Sequence, residues 1–159
     1  NPIEENVQIG VIAREDLLVN LKNQVQDAID KGAVLITGGN SKDSYYAPTI
    51  LTNITSDMLV YQQEVFGPVA VVFVVQNDAE AIQLADDTSF GLGASVFTKN
   101  TLRANAFISQ IEDGSVFINS MVKSDPRLPF GGTKKSGIGR ELGSYGIKEF
   151  VNIKTVYWK

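Results

Sequence analysis

Residues 63–68 (QEVFGP) hold the residue types in this chain that are best suited to binding a ligand. The carboxylate of Glu64 can accept hydrogen bonds from a pair of hydroxyl groups. Two residues later, the aromatic face of Phe66 can support a flat heterocycle. Gly67-Pro68 then turns the chain. The alternative interpretation is a plain turn before a buried strand, with Phe66 in the core and Glu64 in solvent.

Residues 129–143 form a second candidate segment, rich in glycine and basic side chains. The glycines would let the backbone pass close to a ligand or to another chain. However, a P-loop requires lysine where Ile138 stands, and the dinucleotide fingerprint requires glycine or alanine where Leu142 stands. The segment carries neither phosphate-binding motif, so a surface loop is the alternative to a binding loop.

Glu141 is the candidate proton-transfer group of this segment, because a partly buried carboxylate can relay protons. A simple ion pair with Arg140 is the alternative. Lys134 and Lys135, together with Arg140, form either an anion site or a solvated face. The same two interpretations apply to the polar group that precedes this segment, Lys123, Ser124 and Arg127.

The composition excludes several kinds of chemistry. The 159 residues include no cysteine and no histidine, so disulfides, thiol nucleophiles, histidine-based triads and typical zinc sites cannot be built from this sequence. The 14 basic and 18 acidic residues are scattered along the chain and give a formal charge of -4, without a basic stripe. We therefore predict no metal and no nucleic-acid partner.

Length and hydropathy indicate a soluble chain with a single core. With 43% hydrophobic residues, 159 residues are enough for one ordinary domain. The longest apolar run, residues 69–75, is far shorter than the roughly 20 residues of a membrane helix, and residues 1–10 lack a signal pattern. We expect no membrane association and a cytoplasmic location.

The first third of the chain predicts a helix followed by a strand. Apolar residues recur every fourth position over residues 14–31, which predicts an amphipathic helix that ends at Gly32. Residues 33–37 are apolar and partly β-branched, which predicts a strand. Gly38-Gly39-Asn40 supplies turn residues after it.

The middle of the chain alternates between strands and helices. Residues 69–75 are apolar throughout, as in a strand that is covered on both faces of a parallel sheet. Helical patterns separate this run from two further strands, at residues 94–98 and 115–119. The β-α-β-α-β order predicts a three-layer, doubly wound α/β architecture, whose strand order stays open.

Polar residues mark the expected helix starts and a long functional loop. Asn77, with Glu80 three residues later, resembles a capping box, and Asn100 or Thr101 can cap the next helix. Residues 120–146 are too many for a passive connection. A short helix over residues 145–150 and a β-branched, aromatic strand over residues 154–158 are expected to follow.

In order and separation, these segments together resemble the carboxyl-terminal third of the aldehyde dehydrogenase superfamily, beyond its catalytic cysteine. The resemblance covers almost the whole chain, with matches at Asn1-Pro2, 64–68, 90–92, 96–98, Asn119 and 129–146. It implies that residues 1–150 are part of that family's three-layer catalytic domain. It also implies that residues 151–159 carry an oligomerisation strand, and hence a homo-oligomer.

The resemblance implies NAD- or NADP-dependent oxidation of an aldehyde to its acid, through a cysteine thiohemiacetal, hydride transfer to nicotinamide, and hydrolysis with a glutamate base. Glu64 would bind the hydroxyls of the nicotinamide ribose, and Phe66 would contact the nicotinamide ring. Phe130 would line the aldehyde tunnel. Glu141 would pass protons to the general base, and Asn119 would support the active site.

Within the superfamily, the chain is most similar to the succinate-semialdehyde dehydrogenase branch, on the evidence of residues 118–120 and the spacing from Ser124 to Phe130. In that branch a serine near this position helps to hold the substrate's carboxylate, which makes Ser124 the candidate. A dehydrogenase for another aldehyde is the alternative. The neighbours expected to assist Ser124 are Lys123 or Arg127 by charge, and Met121 and Val122 as an apolar wall.

The family's catalytic cysteine, its upstream glutamate base and its dinucleotide-binding domain have no counterpart in this sequence. We therefore expect the 159-residue chain to be one part of a longer enzyme and to be inactive alone. The alternative is an independent binding or assembly module that uses the same fold without chemistry.

Overall fold

The computed structural model describes residues 5–159. The chain divides into two compact units, Asn1–Val74 and Val75–Lys159, and each combines helices with short strands. The expected single core is therefore not formed as one cluster, because the main buried apolar cluster lies wholly in the first unit. The matching dipeptide Asn1-Pro2 lies outside the described residues.

A 16-residue helix, α1 (Glu15–Asp30), supplies one side of the first core. Glu15 and Asp16 lie in its first turn, where negative charge suits the helix dipole. The N–H of Gly32 donates to the carbonyl of Ile29 at 3.0 Å, and Gly32 adopts a φ of 98°, which ends the helix as predicted. The buried face of α1 consists of Leu18, Leu21, Gln24, Val25 and Ala28.

A three-stranded sheet packs on this helix. Its order is β1 (Val34–Thr37), β4 (Thr49–Thr52), β5 (Val69–Val71), with β1 antiparallel and β5 parallel to the central strand. A small hairpin, β2 (Ser41–Lys42) and β3 (Tyr45–Tyr46), lies between β1 and β4 in the chain. A four-residue helix, α2 (Leu59–Gln62), follows the sheet's central strand. The residues that fill the core opposite α1 are Tyr46, Leu51, Met58 and Val60.

The expected buried strand over residues 69–75 is wrong in both length and burial. Only Val69–Val71 form β5, and beyond it Val72 and Val74 are 42% and 87% exposed, whereas Phe73 between them packs edge to face on Tyr61. The reason is that β5 is an edge strand of this sheet: β4 is its only neighbour among the described strands. An apolar run predicts a buried strand only where other elements cover it.

The second unit contains the predicted strand-helix-strand repeat. Strands β7 (Ala94–Val96) and β8 (Val116–Ile118) are parallel and are joined through helix α4 (Thr101–Gln110). Ahead of them lie helix α3 (Asp78–Asp86) and strand β6 (Phe90–Gly91). A single helix between paired parallel strands is the connection that the sequence predicts.

Both predicted helix caps are present. The side chain of Asn77 accepts the backbone N–H of Glu80 at 3.0 Å, and the Glu80 carboxylate accepts the N–H of Gln76 at 2.6 Å, one residue before the cap. Asn100, rather than Thr101, caps α4 by accepting the N–H of Arg103 at 3.0 Å. The two asparagine contacts each satisfy a donor that the first helical turn leaves unpaired.

The long segment after β8 is folded back onto β6. Strand β9 (Thr133–Lys134) pairs antiparallel with β6, and the expected short helix appears as α5 (Gly143–Gly146) followed by a 3₁₀ turn, Ile147–Phe150. Gly114 lies so close to this segment that a Cβ there would overlap the carbonyl oxygen of Gly131. The backbone approach therefore requires glycine.

The strand expected over residues 154–158 is not formed within the single chain. No helix or strand is assigned to residues 152–159, and the apolar side chains Val156, Tyr157 and Trp158 are 66%, 82% and 88% exposed. A strand needs a hydrogen-bonded neighbour, and none of the described strands supplies one. Its pairing with a neighbouring subunit, and the division at residue 150, stay predictions.

Candidate functional site

In the first unit, the segment 63–68 presents its two candidate side chains to solvent. Glu64 is exposed and Phe66 is 61% exposed, whereas Val65 between them packs against the apolar core. The inward Val65 turns both of its neighbours outward on the same side, as alternating residues of an extended chain do. The alternative placement of Phe66 in the core is therefore wrong for this unit.

The backbone after Phe66 is fixed by short-range hydrogen bonds. The N–H of Gly67 donates to the carbonyl of Val65 at 3.0 Å, and the N–H of Val69 donates to the carbonyl of Gly67 at 2.8 Å, which are bonds of the γ-turn type. A Cβ on Gly67 would overlap the side chain of Leu21 on α1. The turn thus lies directly on the helix and leads into β5.

Gln24 contacts this segment and was missed by the sequence reasoning. Its side chain is 1% exposed, and Nε2 donates to the carbonyl of Glu64 at 3.1 Å and to Oε1 of Gln63 at 3.2 Å. The signal that could have revealed it is an amide on the apolar face of α1, between Leu21 and Val25. A buried amide needs polar partners, and those partners had to come from elsewhere in the chain.

In the second unit, two predicted site residues face each other. Phe130 and Glu141 form an antiparallel bridge in which each N–H donates to the other's carbonyl, at 2.8 Å and 2.7 Å. Residues directly opposite in such a pair project their side chains from one face. The structure thus brings the predicted tunnel residue and the predicted proton-transfer residue to the same place.

A surface cavity of about 510 Å³ adjoins this pair. The guanidinium of Arg140 donates to the carbonyls of Gly132 and Gly139, at 3.0 Å and 2.6 Å, so it braces the glycine-rich loop instead of pairing with Glu141. Glu141 is exposed in this chain, so the partial burial expected of a proton relay is not present here. The cavity is lined by Leu92, Phe130, Gly131, Gly132, Ser136, Gly137, Ile138, Gly139, Arg140, Glu141, Glu149 and Phe150.

The polar group around Ser124 is exposed, and one of its cations is already paired. Arg127 donates from Nε to Oδ1 of Asp125 at 2.9 Å and from Nη2 to Oδ2 at 2.6 Å. This hydrogen bonding holds the pKa of the Asp125 carboxyl well below its usual value. Among residues 5–159, no ion pair involves Lys123. Lys123 is thus the less engaged of the two predicted helpers.

Lys134 and Asn119 have clear structural contacts. Nζ of Lys134 donates to the carbonyl of Asp86 at 2.9 Å and lies 3.8 Å and 3.9 Å from the carboxylates of Asp86 and Glu112. These acids offset its charge, which weakens the anion-site interpretation.

Asn119 accepts the N–H of Thr98 at 2.8 Å and donates to its carbonyl at 2.9 Å, so it joins the ends of β7 and β8.

The described part of the chain contains neither a candidate membrane span nor a candidate metal cluster. No helix over residues 5–159 is long and apolar enough to cross a bilayer. Within the same residues, no cluster of three or more histidine, cysteine, aspartate or glutamate side chains is placed to hold a metal ion.

The sequence matches the profile of a known family and aligns with relatives that are longer than this chain. A sequence profile described as the aldehyde dehydrogenase family matches residues 1–156. Over 160 aligned positions, the chain is 50% identical to a probable NADP(+) succinate-semialdehyde dehydrogenase of Synechocystis sp. and 47% identical to NADP(+) succinate-semialdehyde dehydrogenase 1 of Mycobacterium ulcerans. Each alignment covers 99% of this chain and 35% of the relative, so the chain spans 35% of the relatives' length.

Solved structures give the same result. The chain superimposes on succinic semialdehyde dehydrogenase from Streptococcus pyogenes in complex with NADP+ with a TM-score of 0.93 and 38% identity, covering 99% of this chain and 35% of that one. For an NAD-dependent aldehyde dehydrogenase from Sinorhizobium meliloti, the TM-score is 0.89 and the identity 40%, covering 94% and 30%. This likeness confirms the predicted α/β fold of the aldehyde dehydrogenase catalytic domain. By sequence and by fold, the chain belongs to the aldehyde dehydrogenase family.

Proposed function

We propose that this chain is part of an NAD(P)-dependent aldehyde dehydrogenase that oxidises succinate semialdehyde to its acid. The observation that carries the proposal is the outward-facing pair of Glu64 and Phe66 beside the inward-facing Val65. The substrate part rests on the names of the relatives, which are succinate-semialdehyde dehydrogenases at 46% to 50% identity.

The chemistry of the two side chains fits a nicotinamide cofactor. An exposed carboxylate can accept hydrogen bonds from two ribose hydroxyls at once, and an exposed aromatic ring offers a face to the nicotinamide. A bound nicotinamide cofactor would supply the hydride acceptor for oxidation of the aldehyde. Glu64 and Phe66 would hold and orient it, and holding reactants in the reacting geometry lowers the barrier. The names of both relatives specify NADP(+), which favours NADP over NAD as the cofactor.

The second unit supplies the substrate's surroundings. Phe130 lines the path of the aldehyde, and Glu141, on the same face of the bridge, passes protons to the general base. Ser124 holds the substrate's carboxylate through its hydroxyl, with Lys123 as the nearby cation, since Arg127 is engaged by Asp125.

The rest of the reaction requires groups outside this sequence. With no cysteine among the 159 residues, the nucleophile and its general base belong to another part of a longer polypeptide. That polypeptide is a cytoplasmic homo-oligomer in our proposal, with residues 151–159 at the interface between subunits.

The test uses the full-length protein and a Glu64→Gln variant. Loss of a charged hydrogen-bonding group costs roughly 1.5–3 kcal/mol, so we expect kcat/KM for NADP to fall about tenfold or more. The assay is NADPH absorbance with succinate semialdehyde, and Glu15→Gln, an exposed glutamate on α1, is the matched control.

Unchanged kinetics in Glu64→Gln, or turnover only with other aldehydes, would contradict the proposal. The isolated 159-residue chain should produce no NADPH. Turnover by that chain would overturn the assignment of the nucleophile to another part of the protein, and an inactive full-length protein would favour the binding or assembly module.

A further inference from the structure

We propose that Gln24 is a positioning residue, which sets the backbone of the cofactor-binding segment at Glu64; this inference rests on the proposed function. Its Nε2 donates to the Glu64 carbonyl at 3.1 Å and to Oε1 of the adjacent Gln63 at 3.2 Å. The two N–H groups of one amide thus bind two successive residues. A planar group held at two points fixes the orientation of that stretch of chain.

Helix α1 gives this contact a rigid base. Gln24 and Leu21 are three residues apart on the helix and therefore lie on one face. Leu21 lies against Gly67, and Gln24 binds Glu64, so the segment crosses the helix with a contact on each side of Phe66. Both helix residues are 1% exposed, which means that the surrounding core holds them in place.

A buried amide at position 24 does not favour the stability of the fold. Gln24 is the polar member of the buried face of α1, and its Oε1 has no hydrogen-bond partner within residues 5–159. A buried acceptor without a partner is destabilising, whereas an apolar side chain of the same shape can be neutral at such a position. The gain from Gln24 is therefore expected in the geometry of residues 63–64, and not in the stability of the fold.

The role of Gln24 can be tested in the full-length protein, because its effect on the KM for NADP should be separable from its effect on the thermal midpoint. Gln24→Met keeps the length of the side chain but removes both donors. We expect its KM for NADP to rise about five- to tenfold, with the KM for succinate semialdehyde and the thermal midpoint nearly unchanged. Val25→Ala, the matched control on the next residue of α1, removes buried methyl groups and keeps the amide of Gln24 in place. It should lower the thermal midpoint and leave the KM for NADP within about twofold.

Glu64→Gln separates the two proposals. If Glu64→Gln raises the KM for NADP but Gln24→Met does not, the role of Gln24 is wrong and the cofactor site stands. If Glu64→Gln leaves that KM unchanged, the proposed cofactor site is wrong and the role of Gln24 falls with it. If Val25→Ala raises the KM as much as Gln24→Met does, the effect is a general loss of structure, which also overturns the role of Gln24.

A second variant covers the case in which Gln24→Met does not fold. Gln24→Asn keeps an amide at the same position but withdraws it by one methylene, so that it no longer reaches Glu64. The same rise in the KM for NADP is expected, together with faster amide exchange at residues 66–67. A folded Gln24→Asn protein with the unmodified KM and exchange rates would overturn the proposal.

Discussion

Asp113 shows how the surroundings change a single carboxyl group in the second unit. Burial, followed by the negative charge of Asp86, raises its pKa above 3.8, although Lys134 acts in the opposite direction. Because the folded pKa lies above the unfolded one, folding favours the protonated form. The stability linked to Asp113 is therefore complete below its unfolded pKa and is lost as the pH rises through the folded pKa.

Asp113→Asn imitates the protonated form at every pH. We expect it to increase the free energy of unfolding at pH 7 and to change it little at pH 3, as measured by urea unfolding of the full-length protein. Asp43→Asn makes the same substitution in an exposed turn and serves as the matched control. An equal gain at both pH values for Asp113→Asn would contradict the burial effect.

At the scale of helices and strands, Gly114 controls how closely the start of β8 approaches the loop that holds Phe130. Because a Cβ at this position would overlap the Gly131 carbonyl, we expect Gly114→Ala to lower the free energy of unfolding by about 2 kcal/mol. Displacement of Phe130 should also reduce kcat/KM for the aldehyde more than it raises the KM for NADP.

Urea unfolding and steady-state kinetics of the full-length protein check both parts. Ser115→Ala is the neighbouring control, since it removes only an exposed hydrogen bond to Leu92. Wild-type stability in Gly114→Ala would show that the loop can move away at no cost.

Helices and caps that depend on residues close in the sequence could be predicted from it. The caps at Asn77 and Asn100 depend on residues three positions away, and α1 depends on a repeat within its own length. Burial depends on distant parts of the chain, so the exposure of Val72 and Val74 could not be predicted from an apolar run.

In the candidate site, too, local features could be predicted from the sequence and long-range contacts could not. The types and order of Glu64, Phe66 and Glu141 could be read from the sequence, but the bridge between Phe130 and Glu141 joins residues across a glycine-rich loop. The contact of Gln24 spans 40 positions and appears in the sequence only as an interruption of the apolar repeat. Long-range contacts of this kind have no local signal.

For the whole molecule, the exposed apolar residues after the 3₁₀ turn are the clearest sign of an association. Val156, Tyr157 and Trp158 are all more than half exposed, and an unpaired β-branched and aromatic segment invites pairing with another chain. We expect Val156→Lys to lower the mass of the proposed homo-oligomer of the full-length protein in light scattering, because a lysine on a pairing strand opposes association.

Leu102→Lys is the matched control. Leu102 is 82% exposed on α4, away from residues 151–159 in the sequence, so a lysine there should leave the mass unaltered. An undiminished mass in Val156→Lys, or an equal loss in both variants, would count against residues 151–159 as the subunit contact.

The Asn119 side chain also sets a chemical lifetime for the second unit. Spontaneous deamidation would turn it into aspartate, whose oxygens accept hydrogen bonds but donate none when ionised. The Thr98 N–H would keep its acceptor, whereas the Thr98 carbonyl would face a repelling oxygen in place of an N–H. Old molecules would then lose one of the two Asn119 side-chain hydrogen bonds at the ends of β7 and β8, although the backbone pairing of the strands remains. Stored protein would become a mixture of intact and slightly weakened copies.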